Sequence, residues 1–209
     1  FLTKTIFSFL LAVYCCFIRR YPIATNQLFL IDTFVIGIPS FILILEPNNN
    51  KFHGKFIVNV IKNALPGAAV VAFTTALVFF ISPILGIESS GTINEVNTII
   101  VLNATFTCFM VLYKVCRPFN VLRKVLYTLM AAAAAIMIIV LPDLFDIVNV
   151  FHINISSLPA DYPTMSSTGL LLLLVLMFAN YPAIRLVENL KPFIKSVINY
   201  FVNLIGRIH

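Results

Sequence analysis

Residues 28–45 read LFLIDTFVIGIPSFILIL, an apolar run long enough to cross a bilayer as a helix, yet it carries Asp32 and then Gly37 and Pro39 in mid-span. A carboxylate in that setting costs roughly 2.5 to 3.5 kcal/mol on insertion scales, so it normally faces a partner, a water-filled path or a bound ion. Pro39 has no amide hydrogen and its ring crowds the carbonyl of Val35, which loses its helical donor. Gly37 makes local unwinding cheaper. On an α-helix Asp32 and Val35, three residues apart, share a face. A carboxylate and a freed carbonyl, with Thr33 beside them, are oxygen ligands of the kind that hold hard cations such as calcium or magnesium. Helices broken so that freed backbone lines a cavity recur at ion-transport sites. The plainer alternative is a kink at Pro39, with Asp32 paired to a lysine or a hydroxyl for packing.

The rest of the chain has the same solvent in view. Of 209 residues 60% are hydrophobic and 11% charged, with a mean hydropathy of +1.01, which excludes an ordinary soluble domain. The expected fold is all-α: a polytopic membrane protein with spans at 1–18, 27–45, 64–87, 98–115, 125–141 and 168–184. These six transmembrane helices form one domain, 1–186, followed by a tail, 187–209. In the tail Ile194, Val197, Ile198, Phe201, Val202 and Ile205 recur at helical spacing opposite Lys195, Asn199, Asn203 and Arg207, as on an amphipathic helix at the inner membrane surface. Trp is absent, and Tyr21, Tyr113, Tyr127, Tyr162 and Tyr181 fall near span ends, where an aromatic belt belongs. The third span has Pro66 in its first turn, where proline is harmless. Ala131 to Ala135 in the fifth span permit close helix approach. The opening on Phe1, with an apolar run starting at once, suggests a piece of a longer chain.

Loop charge orients the spans. Lys51, Lys55, Lys62, Lys114, Arg117, Arg123, Lys124, Arg185, Lys191, Lys195 and Arg207 fall on one side. Glu88, Glu95, Asp143, Asp146 and Asp161 fall on the other, joined by the discordant Arg19 and Arg20. The positive-inside rule places both termini in the cytoplasm of a multi-pass plasma (inner) membrane protein. The net charge of +6, from 14 minus 8, is thus spread over membrane loops by topology and does not imply a nucleic-acid partner. Cys15, Cys16, Cys108 and Cys116 lie in or beside apolar spans without Cys-x-x-Cys spacing, and His53, His152 and His209 are scattered, so a soft-metal centre is not expected. Asn154-Ile155-Ser156 matches a glycosylation acceptor, a triplet common by chance.

Gln27-Leu28, Asp32, Gly37-Ile38-Pro39 and Glu46-Pro47-Asn48, followed by a basic loop to Ala64-Leu65-Pro66, resemble the sixth membrane helix of the P-type cation-transporting ATPases, particularly a bacterial calcium-pump-like branch. The resemblance implies helices five to ten of such a pump, with residues 1–18 as the fifth and Asp32 on the sixth. It implies a transported hard cation, calcium favoured, with ATP and magnesium used elsewhere in the parent protein. The partners it implies are the lipid bilayer, the cytoplasmic domains and the first four helices. Asp32, Val35 and Thr33 are the implied cation ligands. Lys4 is a possible counter-charge, and Asn103 a possible polar lining where some calcium pumps carry an acid. Ile36 stands where many calcium pumps have a second acid, which leaves room for magnesium, another cation or a proton. The D-K-T-G-T phosphorylation motif, the T-G-E loop and the Pro-Glu-Gly-Leu break of the fourth helix are all missing, so this stretch has no catalytic motif of its own. A six-helix secondary transporter or channel is the alternative, though no second Asp-x-x-x-x-Gly-x-Pro mirrors the first. A non-transporting membrane subunit is a third.

Overall fold

The computed structural model describes residues 5–6, 8–9, 11–13, 23–45, 56–87, 94–116, 120–151 and 162–205, with the backbone alone described for 56–64 and 190–205. Among the described residues the chain is helical, and its β structure is the isolated bridge between Asn149 and Thr164. The helices are α1 (Thr25–Ile31), a π-helical turn (Asp32–Gly37), α2 (Ile38–Leu45), α3 (Phe56–Ile81), α4 (Glu95–Val115), α5 (Val121–Val140) and α6 (Ser167–Ile205). The first three elements follow without a break and make one rod. Residues 5–6, 8–9 and 11–13 of the first span are also helical. Lys4, Arg19, Arg20, Tyr21, Cys15, Cys16, the 46–55 loop, the Asn154 triplet and the side chains of the tail lie outside the described residues.

Among the described residues four segments are long and apolar enough to cross a membrane, Thr25–Leu45, Glu95–Val115, Val121–Val140 and Ser167–Asn189, with Leu65–Ile81 a shorter apolar stretch inside α3. Two of them start on asparagine caps. The Asn94 side chain accepts the Asn97 N–H at 2.8 Å, so α4 begins ahead of its apolar run and takes Glu95 and Asn97 into a buried first turn. Asn120 does the same for Val121 at 3.2 Å. Helix α3 begins at Phe56, so Pro66 sits inside the helix rather than in its first turn and leaves the Lys62 carbonyl without its helical donor. The last span and the amphipathic stretch after it form one continuous helix, α6.

Helix α4 is the centre of the bundle. Its apolar window is 72% buried inside the protein while that of α5 is 17% buried, which makes α4 the hub and α5 a peripheral helix. Helices α3 and α6 pack on α4 and on each other; α1 and the π turn pack on α4, and α5 runs beside the π turn and α2. Phe73, Phe80 and Phe178 stay exposed, as the outer face of a bundle solvated by lipid should be.

Two polar fasteners hold the helix starts together. Gln27 is fully buried; its Oε1 accepts the Ala24 N–H at 3.0 Å and its Nε2 donates to the Asp146 carbonyl at 2.9 Å, while Asn26 donates to the Asp146 carboxylate at 2.8 Å. Asp146 adopts a left-handed φ of 51°, which turns both its acceptors toward α1. At the other fastener the Glu95 carboxylate accepts from the Ser166 N–H at 2.8 Å and the Ser166 hydroxyl at 2.6 Å. Gly169 permits that approach, because a Cβ there would run into the Glu95 carboxylate. The starts of α1, α4 and α6 therefore lie on one side of the bundle, as the alternating spans require.

Candidate cation site on the second span

The sequence around Asp32 widens the helix instead of breaking it. The Ile38 N–H donates to the Thr33 carbonyl, five residues back, so the turn holds one residue more than an α-helix would. Two residues favour this turn. Pro39 cannot supply the ordinary donor to Val35. Gly37 passes so close to the main chain that a Cβ there would stand 2.9 Å from the Asp32 carbonyl oxygen.

The wider turn also changes which residues share a face. Closure from i to i+5 brings Gly37, not Val35, over Asp32. Asp32, Thr33 and Gly37 line one hollow together with Phe29, Ile38, Phe41 and Ile42. Val35 is buried in the core at 5% exposure and is not brought to the hollow. Asp32 itself is half-buried, with Oδ1 fully covered. The hollow is open on its outer side, where Phe29 and Phe41 are exposed. Among the described residues no group of three or more His, Cys, Asp or Glu side chains converges.

Asn103 is elsewhere. Its Nδ2 donates to the Thr74 hydroxyl at 2.9 Å, and its Oδ1 accepts from Asn180 Nδ2 at 2.8 Å. The Thr74 hydroxyl passes its own hydrogen to the Val70 carbonyl at 2.8 Å, and Thr107 donates to the Asn103 carbonyl at 2.9 Å. All three side chains are buried, so a directed chain of hydrogen bonds runs from α6 through α4 to α3. Asn103 thus bonds across α3, α4 and α6 and does not line the hollow beside Asp32. Asn180 is the residue that sequence reading missed. It interrupts the run 170–184 two residues before Pro182, a signal of the same kind as Asp32 but without charge.

The fold and this site define a polytopic α-helical membrane protein with an ionisable group set on a distorted membrane helix. Comparison with known proteins adds the family resemblance. The chain is 31% identical over 135 residues, 60% of its length, to a probable cation-transporting ATPase, exp7, of Streptococcus pneumoniae. It is 32% identical over 154 residues, 68% of its length, to the calcium-transporting ATPase CtpE of Mycobacterium bovis, and 32% identical over 132 residues to CtpE of Mycobacterium tuberculosis. The similarity to P-type cation-transporting ATPases drawn from the Asp32 stretch is thus borne out over much of the chain. The matched regions cover 17% of the first relative, 19% of the second and 16% of the third, so the chain corresponds to about a fifth or less of each. No family model and no solved structure matches it.

Proposed function

We propose that this chain forms the cation-translocating membrane portion of an ATP-driven P-type pump that carries a hard cation, calcium in preference to magnesium. The observation that carries the reading is Asp32 on a π turn, with Gly37 and Pro39 enforcing the distortion inside an otherwise apolar span. Turns of that kind are frequent at functional sites, and an intramembrane carboxylate marks a candidate functional site by default. The names of the relatives, cation-transporting and calcium-transporting ATPases, support the same cargo class.

In this reading Asp32 supplies the charge that compensates the dehydrated cation. Thr33 and the Val35 carbonyl, left without its proline donor, supply neutral oxygens, the carbonyl once the turn opens. The hollow beside Asp32 is open because further helices of the pump complete the site there. Phosphorylation elsewhere in the parent tilts the first two spans and exposes the site to alternate sides. In the plasma membrane that this reading assigns to the pump, the basic loops keep both termini on the cytoplasmic side. Asn103 lends rigidity to α4, against which the π turn works.

The test uses the complete pump in proteoliposomes. Cation-stimulated ATP hydrolysis is compared across calcium, magnesium, manganese and potassium for wild type and Asp32→Asn. Stimulation by calcium, with its apparent affinity reduced at least roughly tenfold in the variant, is the expected result; even outer-sphere losses at metal sites reach that scale. Unchanged affinity in Asp32→Asn would remove Asp32 from the ion path. Transport without any ATP hydrolysis would favour a secondary transporter.

A further inference from the structure

A cavity larger than the hollow at Asp32 lies elsewhere in the bundle. About 670 Å³ opens between α4, α5 and α6, within the range of small-molecule sites. Ala131, Ala134 and Ala135 of the alanine run face it. Small residues on a membrane helix ordinarily bring a neighbouring helix into contact, yet α5 and α6 do not pack closely here. The alanines instead line a gap whose other walls include Phe109, Ile138 and Met177, an apolar slot open to one side.

The mouth of the slot is cationic. Lys114 ends α4 and Arg185 lies one turn beyond Tyr181 on α6; both line the cavity, with Glu188 as the one acidic lining residue. Two positive charges less one negative leave a net charge of one, which a single phosphodiester would balance. The present arrangement holds these groups only loosely. Lys114 Nζ lies 2.8 Å from the Glu188 carboxylate with both side chains more than a third exposed, a pair worth about 0 to 1 kcal/mol. The Arg185 guanidinium stacks on the Tyr181 ring at 4.6 Å, a contact made through its face, whereas the fork of N–H groups that pairs with phosphate oxygens lies along its edge. Tyr113 and Tyr127 pack edge to face at 5.6 Å between the charged mouth and the alanine floor, the level at which phenols sit in a bilayer. By the positive-inside argument this mouth faces the leaflet that carries anionic lipid.

We infer that the α4–α5–α6 cleft binds one anionic glycerophospholipid, one of its two acyl chains along Ala131, Ala134 and Ala135 and its phosphate on Lys114 and Arg185. The inference stands on the cavity and its charges and does not depend on the pump reading. The bound lipid fills the gap between α5 and α6 and ties the peripheral α5 to the bundle.

The test is made on the full-length protein purified in mild detergent and stripped of lipid. Phosphatidylglycerol or phosphatidylcholine is titrated in while thermal stability and bound lipid are followed by native mass spectrometry. Wild type is expected to retain one phosphatidylglycerol in preference to phosphatidylcholine and to gain thermal stability from it. The Lys114→Gln/Arg185→Gln double variant should bind phosphatidylglycerol roughly 30-fold more weakly, about fivefold for each cation near a membrane surface. Equal retention of the two lipids by wild type would overturn the proposal, and that comparison needs no variant. Undiminished phosphatidylglycerol binding by the double variant, or a wild type that retains neither lipid, would overturn it too.

Discussion

Gly37→Ala should destabilise this protein, although the same change in an ordinary helix does the opposite. In a regular helix interior alanine is favoured over glycine by roughly 0.8 to 1 kcal/mol. Here the added Cβ would stand 2.9 Å from the Asp32 carbonyl oxygen, where ordinary contact begins at 3.4 Å. The Cβ is fixed rigidly to the main chain and the oxygen belongs to it, so no flexible side chain can swing aside. Overpacking of that kind costs roughly 1 to 3 kcal/mol, enough to reverse the propensity gain. The turn has one way out, which is to expel its extra residue and return to α spacing. Since each α-helical residue subtends about 100°, that would rotate α1 against α2 by about the same angle and carry Asp32 out of its hollow. Gly37→Ala is therefore expected to lower the thermal midpoint and to weaken the apparent affinity for the transported cation together. The assay pairs thermal unfolding in detergent with cation-stimulated ATP hydrolysis by the complete pump. Ile36→Ala, a change at a buried neighbour, is the control: it should lower the midpoint by loss of packing while leaving cation affinity nearly intact. A Gly37→Ala protein more stable than wild type with unaltered affinity would refute the π-turn argument.

Asn180→Leu should cost about 1 to 3 kcal/mol, because it removes the donor from the buried Asn103 oxygen and leaves that acceptor unmet. A double-mutant cycle with Thr74→Val measures the coupling through Asn103, with about 0.6 kcal/mol expected and 1.7 as the upper range seen for such bonds in membranes. Additive effects of the two changes would show that the hydrogen-bond chain does not act as a unit. The loop on the far side of the bundle carries a pH signature. Burial, with the Asp143 and Asp146 charges adding to it, raises the Tyr162 phenol from its ordinary value of 10.0 to about 12. The unfolded chain then releases that proton first, so the stabilisation is complete below pH 10 and lost as pH rises to about 12. Tyr162 donates to the Ile147 carbonyl at 2.8 Å, and Tyr162→Phe should abolish this alkaline loss of stability; an unchanged pH profile in the variant would assign the loss to other groups.

Much of the protein was legible in one dimension because a bilayer is a severe solvent. It demands long apolar helices, and the positions of 27–45, 98–115, 125–141 and 168–184 follow from that demand alone. The conflict of Asp32, Gly37 and Pro39 with such a span is equally local, so the distortion could be located from the sequence. Its form could not. Whether a helix under that strain opens or widens depends on where its neighbours let the chain go, and packing of the π turn against α4 and α5 selects the wider turn. That choice sends Val35 into the core and puts Gly37 beside Asp32.

The relations across helices were set by tertiary structure entirely. Asn103 and Asn180 are 77 residues apart, and nothing in the spacing of either indicates that they meet. Ala131 to Ala135 announce a surface that another body can approach, but only the placement of α5 at the edge of the bundle turns that surface toward a cleft. Periodicity along one helix records which residues share a face. It carries no record of what lies opposite, because that is decided by how several helices divide the buried volume among them.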